Sequence, residues 1–315
     1  MLLSAATLPI VGELLRDGEF RSIAFATERG QSAFLTFLEK EKFLPALDHP
    51  NISCVLTTRE LAEKIPAHIA GVYLCDAPKA ALFAIHNALA ENEEYVGRSF
   101  PTRIGQNCSI SPLAVIPEQN VLIGDNVTIE PFAVIKGRVS IGDNTVIRSG
   151  AVIGCKGFSF SKNASGENIS VADTAQIVIE NDVELFEQTA VTTGIFPWEK
   201  TIIGAGTKVD TKGFIAHGSH IGPRCLFAAG AMISGNCVIG SDVWIGVNAT
   251  VSNRITIGDH ARVSLGSVVT KDVPAGETVT GNFAIPHQRF LQNLKESIAN
   301  PQAANNCPPP VDTRG

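Results

Sequence analysis

Large rings, paired cysteines and excess positive charge are all scarce in this 315-residue chain. Aromatic residues make up 6%, with 16 Phe against two Tyr and two Trp, so the core must be built from Ile, Val, Leu and Ala. Lys and Arg total 25 against 31 Asp and Glu, for a formal charge of −6. That balance argues against a dedicated nucleic-acid binder, whose affinity comes from clustered cations on phosphates. The cysteines (Cys54, Cys75, Cys108, Cys155, Cys225, Cys237, Cys307) form no CxxC pair and read as reduced cytosolic thiols. No basic residue precedes the apolar start, Met1–Pro9, so no secretory leader is expected. The most apolar long stretch, Ala70–Leu89, is interrupted by Asp76, Lys79 and His86 and does not read as a membrane helix. A soluble, cytoplasmic protein without stable membrane insertion is expected. With 44% apolar and 18% charged residues, the chain has ample material for a core.

What is abundant is a period of six. Every sixth residue from Ile203 is large and apolar: Val209, Ile215, Ile221, Phe227, Ile233, Ile239, Ile245, Val251, Ile257, Val263, Val269. At the background apolar content such a run has a chance probability on the order of 1 in 10,000 or less. A second phase holds Ile123, Ile129, Ile135, Ile141, Ile147 and Ile153, then Ile177 and Val183; a third holds Ile104, Ile110 and Ile116. Gly often follows the large residue, as at Gly204, Gly222 and Gly240, where it is expected to supply positive φ. Small residues such as Thr207, Ser219, Cys225 and Cys237 precede it by two. Neither a helix nor a free strand has this period. A three-sided coil of short strands and corners does, with the branched residue pointing to the axis. Three such side chains do not offset the entropy of ordering a whole coil, so coils must stack. Thr102 to Val273 leaves room for eight or nine. Phase slips are expected near Pro117–Val121 and between Val183 and Ile203, around Phe196-Pro197-Trp198; Gly154–Ala172 is expected to keep phase and protrude as a loop.

The flanks read differently. Residues 1–98 predict a small α/β domain: helix Leu8–Arg16, strands Ser22–Thr27 and Ala33–Phe37, helix Glu41–Leu47, strands Ile52–Thr57 and Gly71–Cys75, helix Lys79–Glu93. Residues 99–285 carry the coil. Residues 286–315 predict a short helix, Arg289–Ile298, and a disordered tail from Asn300.

The isoleucine-rich repeat resembles the hexapeptide acyltransferases, which fold as left-handed parallel β-helices, and within them the UDP-3-O-acylglucosamine N-acyltransferase family. Four segments carry the resemblance: Ser32-Ala33-Phe34-Leu35; Gly154-Cys155-Lys156-Gly157-Phe158-Ser159-Phe160; Lys208-Val209-Asp210 leading to Ile215-Ala216-His217; and Val268 to Pro274. It implies a mainly β chain, a homotrimer with sites between subunits, and a nucleotide-linked amino sugar as acceptor. The chain departs from that family where Asn253 replaces a second histidine and Phe37-Leu38-Glu39-Lys40 replaces an Asn-Pro-Lys-Tyr signature. These departures point to acetyl coenzyme A (an acyl-CoA) as donor, as in O-antigen or capsule building. Transfer from acyl carrier protein in lipid A synthesis is the alternative, and an inert solenoid scaffold a third.

The resemblance makes His217 the catalytic base rather than an exposed corner residue, since a neutral imidazole can take a proton from the attacking amine. Asp210 either orients it or is a solvated carboxylate. Gly235 lies one coil beyond His217, where its N–H would face an oxyanion, unless it is a corner glycine chosen for φ. Expected at the coenzyme A channel are Ala229, Gly230, Gly266, Lys271 and Arg289. Expected at the acceptor are Phe34 and Phe37 about a base, Phe158 and Phe160 as pocket wall or subunit contact, and Asn253. His217 and His220 lack a third histidine one coil away, so no metal is expected.

Overall fold

A computed structural model describes residues 1–8, 10–27, 31–163, 165–281 and 284–299. The expected tail from Asn300 lies outside them. Among the described residues, two substructures form one compact unit, Met1–Thr280; Gly281 onward is a second unit, whose described element is the helix His287–Ala299.

The first substructure is a five-stranded sheet: β1 (Glu13–Arg16), β2 (Ser22–Ile23), β3 (Phe34–Leu38), β4 (Ile52–Thr57) and β5 (Gly71–Leu74), in the order β1-β5-β4-β3-β2. β1 runs antiparallel to β5; the remaining pairs are parallel. The helix expected over Leu8–Arg16 is instead this antiparallel edge strand, because pairing with Val72–Leu74 outweighs local propensity. The short α1 (Leu3–Ala6), α2 (Pro78–Leu89) and α3 (Glu93–Val96) complete the domain, and Glu41–Asp48 is a 3₁₀ helix.

From Arg103 the chain winds into three parallel sheets of eight, nine and seven strands, the faces of a prism. Face 1 includes Gln176–Ile179, Lys200–Ile203 and His220–Ile221; face 2 includes Lys208–Val209 and Leu226–Phe227; face 3 includes Ala190–Thr192, Phe214–Ile215 and Met232–Ile233. Axial Ile203, Val209, Ile215, Ile221 and Ile233 are fully or almost fully buried, and so are the small residues two before them, such as Thr207 and Ser219. The fold is the expected left-handed parallel β-helix with an N-terminal α/β domain.

Strand register corrects the phase reading. Ile104 pairs with Ile123, where a regular coil would bring it to Leu122, so a single extra residue lies before Val121, as expected. Ile153 pairs with Val191, where a regular coil would bring it to Val171. The second slip therefore lies at Gly154–Ala172, whose insertion is not a whole number of repeats. The Phe196–Trp198 coil, from Ile179 to Ile203, instead adds one complete repeat to a regular coil and keeps phase. Ile177 and Val183 misled because they sit two before the axial positions of Ile179 and Leu185, which also point inward.

The glycines after the axial residues also have another cause. Gly204, Gly222 and Gly240 have no positive φ; a Cβ on Gly222 would lie 2.5 Å from the Gly240 carbonyl oxygen one coil away. They allow close coil-to-coil approach. The left-handed positions are the later corner residues, such as Gly206, Arg224 and Asp242.

Both irregular coils dock the N-terminal domain. The longer insertion contains an antiparallel hairpin, Phe160–Lys162 with Asn168–Ser170. Behind it, Asn87 of α2 donates to Ser170 O at 2.9 Å and accepts from Ala172 N at 2.8 Å. Buried His86 donates from Nε2 to Ala172 O, also at 2.9 Å, which leaves Nδ1 to accept from the Tyr95 hydroxyl. Burial holds this imidazole below its ordinary pKa. The shorter insertion places Phe196, fully buried, in the α/β core.

Candidate active site

His217 follows the face 3 strand Phe214–Ile215 by two residues and so occupies the corner where face 3 turns into face 1. The next residue, Gly218, takes the left-handed conformation that turns the corner, with φ of 65°. Register stacks this corner in columns: Asn236 N–H donates to His217 O at 2.8 Å, and Arg254 N–H to Gly235 O at 3.0 Å. His217, Gly235 and Asn253 are therefore consecutive rungs, about 4.8 Å apart.

Gly235 has no positive φ, so the φ explanation for this glycine fails. A Cβ there would sit 2.7 Å from both Cε1 and Nε2 of His217. The glycine is required because the imidazole lies over it. Its N–H has no acceptor among the described residues, leaving a backbone donor beside the ring.

The imidazole is half-buried, and among the described residues it has no hydrogen-bond partner. Burial pushes its pKa below the ordinary value, and the nearby Arg254 guanidinium adds to the shift. At neutral pH the ring is the neutral base that proton abstraction needs.

Asp210 does not orient it within one chain. This carboxylate stands at the other end of face 3, where face 2 turns, and accepts from Thr211 N–H at 2.6 Å. A whole strand separates the two corners in one chain. Asp210 instead lines a shallow hollow on face 2 with Lys208, Leu226, Ala228 and Trp244.

The other expected residues divide by corner. Ala229, Gly230 and Gly266 share the Asp210 corner, where Gly230 and Gly266 have φ of 68° and 64° and so serve the turn. Lys271 follows the face 3 strand Val268–Val269 by two and continues the His217 column, exposed. Arg289 lies on the helix of the second unit. One chain alone does not bring the residues of the Asp210 corner to His217. Phe158 is 97% exposed and packs edge-on against Phe160, itself 47% exposed, at 5.1 Å.

Strand alternation separates the two phenylalanines expected about a base. Phe34 is fully buried in the cluster with Leu38, Leu47 and Val55 on one side of the sheet. It is core, and cannot bracket a ligand with Phe37, which points to the other side with Leu35. Phe37 is half-buried and lines a cleft of about 280 Å³ with Phe25, Thr27, Lys40, Phe43, Lys79 and the Glu39 carboxylate, which accepts from Lys79 N–H at 2.8 Å. Sequence reading missed Phe25, Phe43, Lys40 and Lys79; a basic pair beside three rings was the available signal. Rings with ammonium groups nearby suit a base with attached phosphates.

A model of the bacterial transferase hexapeptide (six repeats) matches residues 120–155. The chain is 27% identical over 212 residues to a UDP-3-O-acylglucosamine N-acyltransferase of Coxiella burnetii, covering 60% of each chain. It is 29% identical over 213 residues to the enzyme of that name from Helicobacter hepaticus, covering 60% of this chain and 62% of that one. The chain thus spans about three fifths of the length of the curated relatives it matches. A UDP-N-acetylglucosamine acyltransferase structure from Bacteroides fragilis superposes with a TM-score of 0.50 at 21% identity, covering 67% of this chain and 82% of that one, which bears on fold alone. Among the described residues no helix is long and apolar enough to cross a membrane. The chain thus carries hexapeptide repeats on a left-handed parallel β-helix and is similar in sequence to nucleotide-sugar acyltransferases.

Proposed function

We propose that this protein transfers an acyl group from a thioester to the amine of a nucleotide-linked amino sugar, with His217 as general base. The observation that carries this reading is the neutral, unpartnered imidazole laid over Gly235, whose N–H is also unpartnered among the described residues. As the amine nitrogen attacks the thioester carbonyl, a C–N bond forms and the imidazole takes the nitrogen's proton. The oxyanion faces the Gly235 N–H. Collapse breaks the C–S bond, and the imidazolium proton passes to the departing thiolate.

The donor we favour is acetyl coenzyme A, with Lys271 toward its phosphates and Ala229, Gly230 and Gly266 along its channel. That channel needs both kinds of corner, which a homotrimer would supply across a subunit boundary. Face 3 supports such packing: its outward residues Val134, Val152, Ala190, Phe214, Met232, Thr250 and Val268 carry no charge. The relatives' name favours a second reading, with UDP-3-O-acylglucosamine as acceptor and acyl carrier protein as donor. Thiol release with UDP-linked amino sugars separates these. Acceptor-dependent release from acetyl coenzyme A supports the first reading. Release only from long-chain acyl carrier protein, with the 3-O-acylated acceptor, supports the second. Silence with every pair leaves the scaffold.

A further inference from the structure

The one-repeat insertion between Ile179 and Ile203 emerges at the same corner as His217, one coil toward the N-terminus. Its base is bolted to the catalytic coil. Buried Thr201 donates from Oγ1 to Thr192 O at 3.1 Å, across the mouth of the loop, and accepts Gly218 N–H at 3.0 Å. Gly218 is the residue after His217. Inside the loop, the Glu199 carboxylate accepts from Ile195 N at 2.8 Å and Phe196 N at 3.2 Å, which fixes its shape.

The tip packs against Phe25, a wall of the cleft that would hold the base. Phe196 stacks on Trp198 with ring centroids 5.8 Å apart and meets Phe25 edge-on at 5.5 Å. The Trp198 indole N–H donates to Ile23 O at 2.9 Å, two residues before Phe25. Phe25 in turn meets Phe37 at 6.3 Å, and both rings are walls of the cleft. An unbroken run of contacts thus joins the cleft wall to the residue beside the catalytic imidazole.

Attachment of the domain does not by itself require this loop to touch the cleft. Asn87 and His86 already tie α2 to the other irregular coil through Ser170 and Ala172. What the loop adds is a fixed spacing between base pocket and base catalyst.

We propose that the Phe196–Trp198 loop is a positioning element that sets the reach from the nucleotide cleft to His217, and so selects acceptors by the distance between their base and their amine. The inference rests on the proposed acyl transfer to a nucleotide-linked amino sugar. A misplacement of about 1 Å between bound substrate and catalytic group can cost roughly 10²-fold in rate.

The test compares kcat/KM for a UDP-linked amino sugar with that for the same amino sugar 1-phosphate, which has no nucleoside to enter the cleft. Trp198→Ala should lower kcat/KM for the UDP-linked acceptor roughly 10–100-fold and leave the nucleoside-free acceptor nearly unchanged. Trp198→Phe, which keeps the stacked ring, should restore most of the loss. Asn87→Ala, which loosens the other junction, should lower Tm without changing the ratio between acceptors. An unchanged ratio in Trp198→Ala overturns the inference, as does an equal fall of the ratio in Asn87→Ala. A wild-type protein silent on both acceptors removes the proposed reaction itself, and this inference with it.

Discussion

At the residue scale the site depends on two neighbours of one imidazole. Gly235→Ala places a methyl group 2.7 Å from Cε1 and Nε2, and the ring must give way. Because φ there is not left-handed, the backbone should accept alanine without strain. The expected outcome is a loss of about 10²-fold in kcat with Tm nearly unchanged, read by steady-state kinetics and thermal melting. Arg254 acts through charge. It depresses the His217 pKa as the second cause after burial, so Arg254→Met should move the acidic limb of the rate profile toward higher pH. Arg254 is exposed, so high salt should mimic the substitution in the wild type, and a limb indifferent to both changes would remove its role. Asp173 works in the opposite sense. Burial raises its pKa to about 6, with Oδ2 held by Gly157 N–H at 2.9 Å and Oδ1 buried without a partner among the described residues. Its folded pKa lies above the unfolded one, so its charge costs stability above pH 6, a cost relieved as pH falls toward 4. Asp173→Asn should therefore stabilise the protein at pH 8 by about 1–2 kcal/mol, allowing for partial solvent screening, with the gain fading below pH 6 in denaturant titrations.

At the element scale, the two irregular coils carry the docking of the α/β domain. Phe196→Ala removes a fully buried ring from that domain's core and should cost about 3–5 kcal/mol, measurable as a lower denaturation midpoint. His86 gives the junction a pH dependence. Its folded pKa is depressed, so its stabilising contribution is present above the ordinary imidazole value and is lost as pH falls through the folded one. Amide protection factors across α2 and Ser170–Ala172 should fall on acidification, and unchanged protection at pH 5 would count against this role. The same elements show what was legible beforehand. The run from Ile203 to Val269 was readable because each coil repeats one steric demand at one position. The slip at Gly154–Ala172 was not, because axial and axial-minus-two residues are both buried, and Ile177 passes for either. Glu13–Arg16 looked helical because its strand partner, Val72–Leu74, is remote in sequence. Phe34 and Phe37 looked alike until strand register put them on opposite sides of the sheet. A motif and a period named His217 and Gly235, which the coil register brings together, whereas Asp210 stands apart within one chain because two corners of a prism can be close in sequence and a face apart in space.

On the scale of the whole molecule, the prism presents an uncharged face 3, and the expected donor residues stand at two different corners. Both features fit the proposed homotrimer. Light scattering should give a mass near three times 33.4 kDa, and Met232→Lys on that face should lower it; a monomeric wild type would leave the donor channel without its second wall. The central claim is that the imidazole over Gly235 takes the acceptor's proton. Thiol release by wild type and His217→Ala, with matched circular dichroism and the same UDP-linked amino sugar, tests it most directly. The account predicts a fall of roughly 10²–10⁴-fold for the variant. Full turnover by His217→Ala would contradict it.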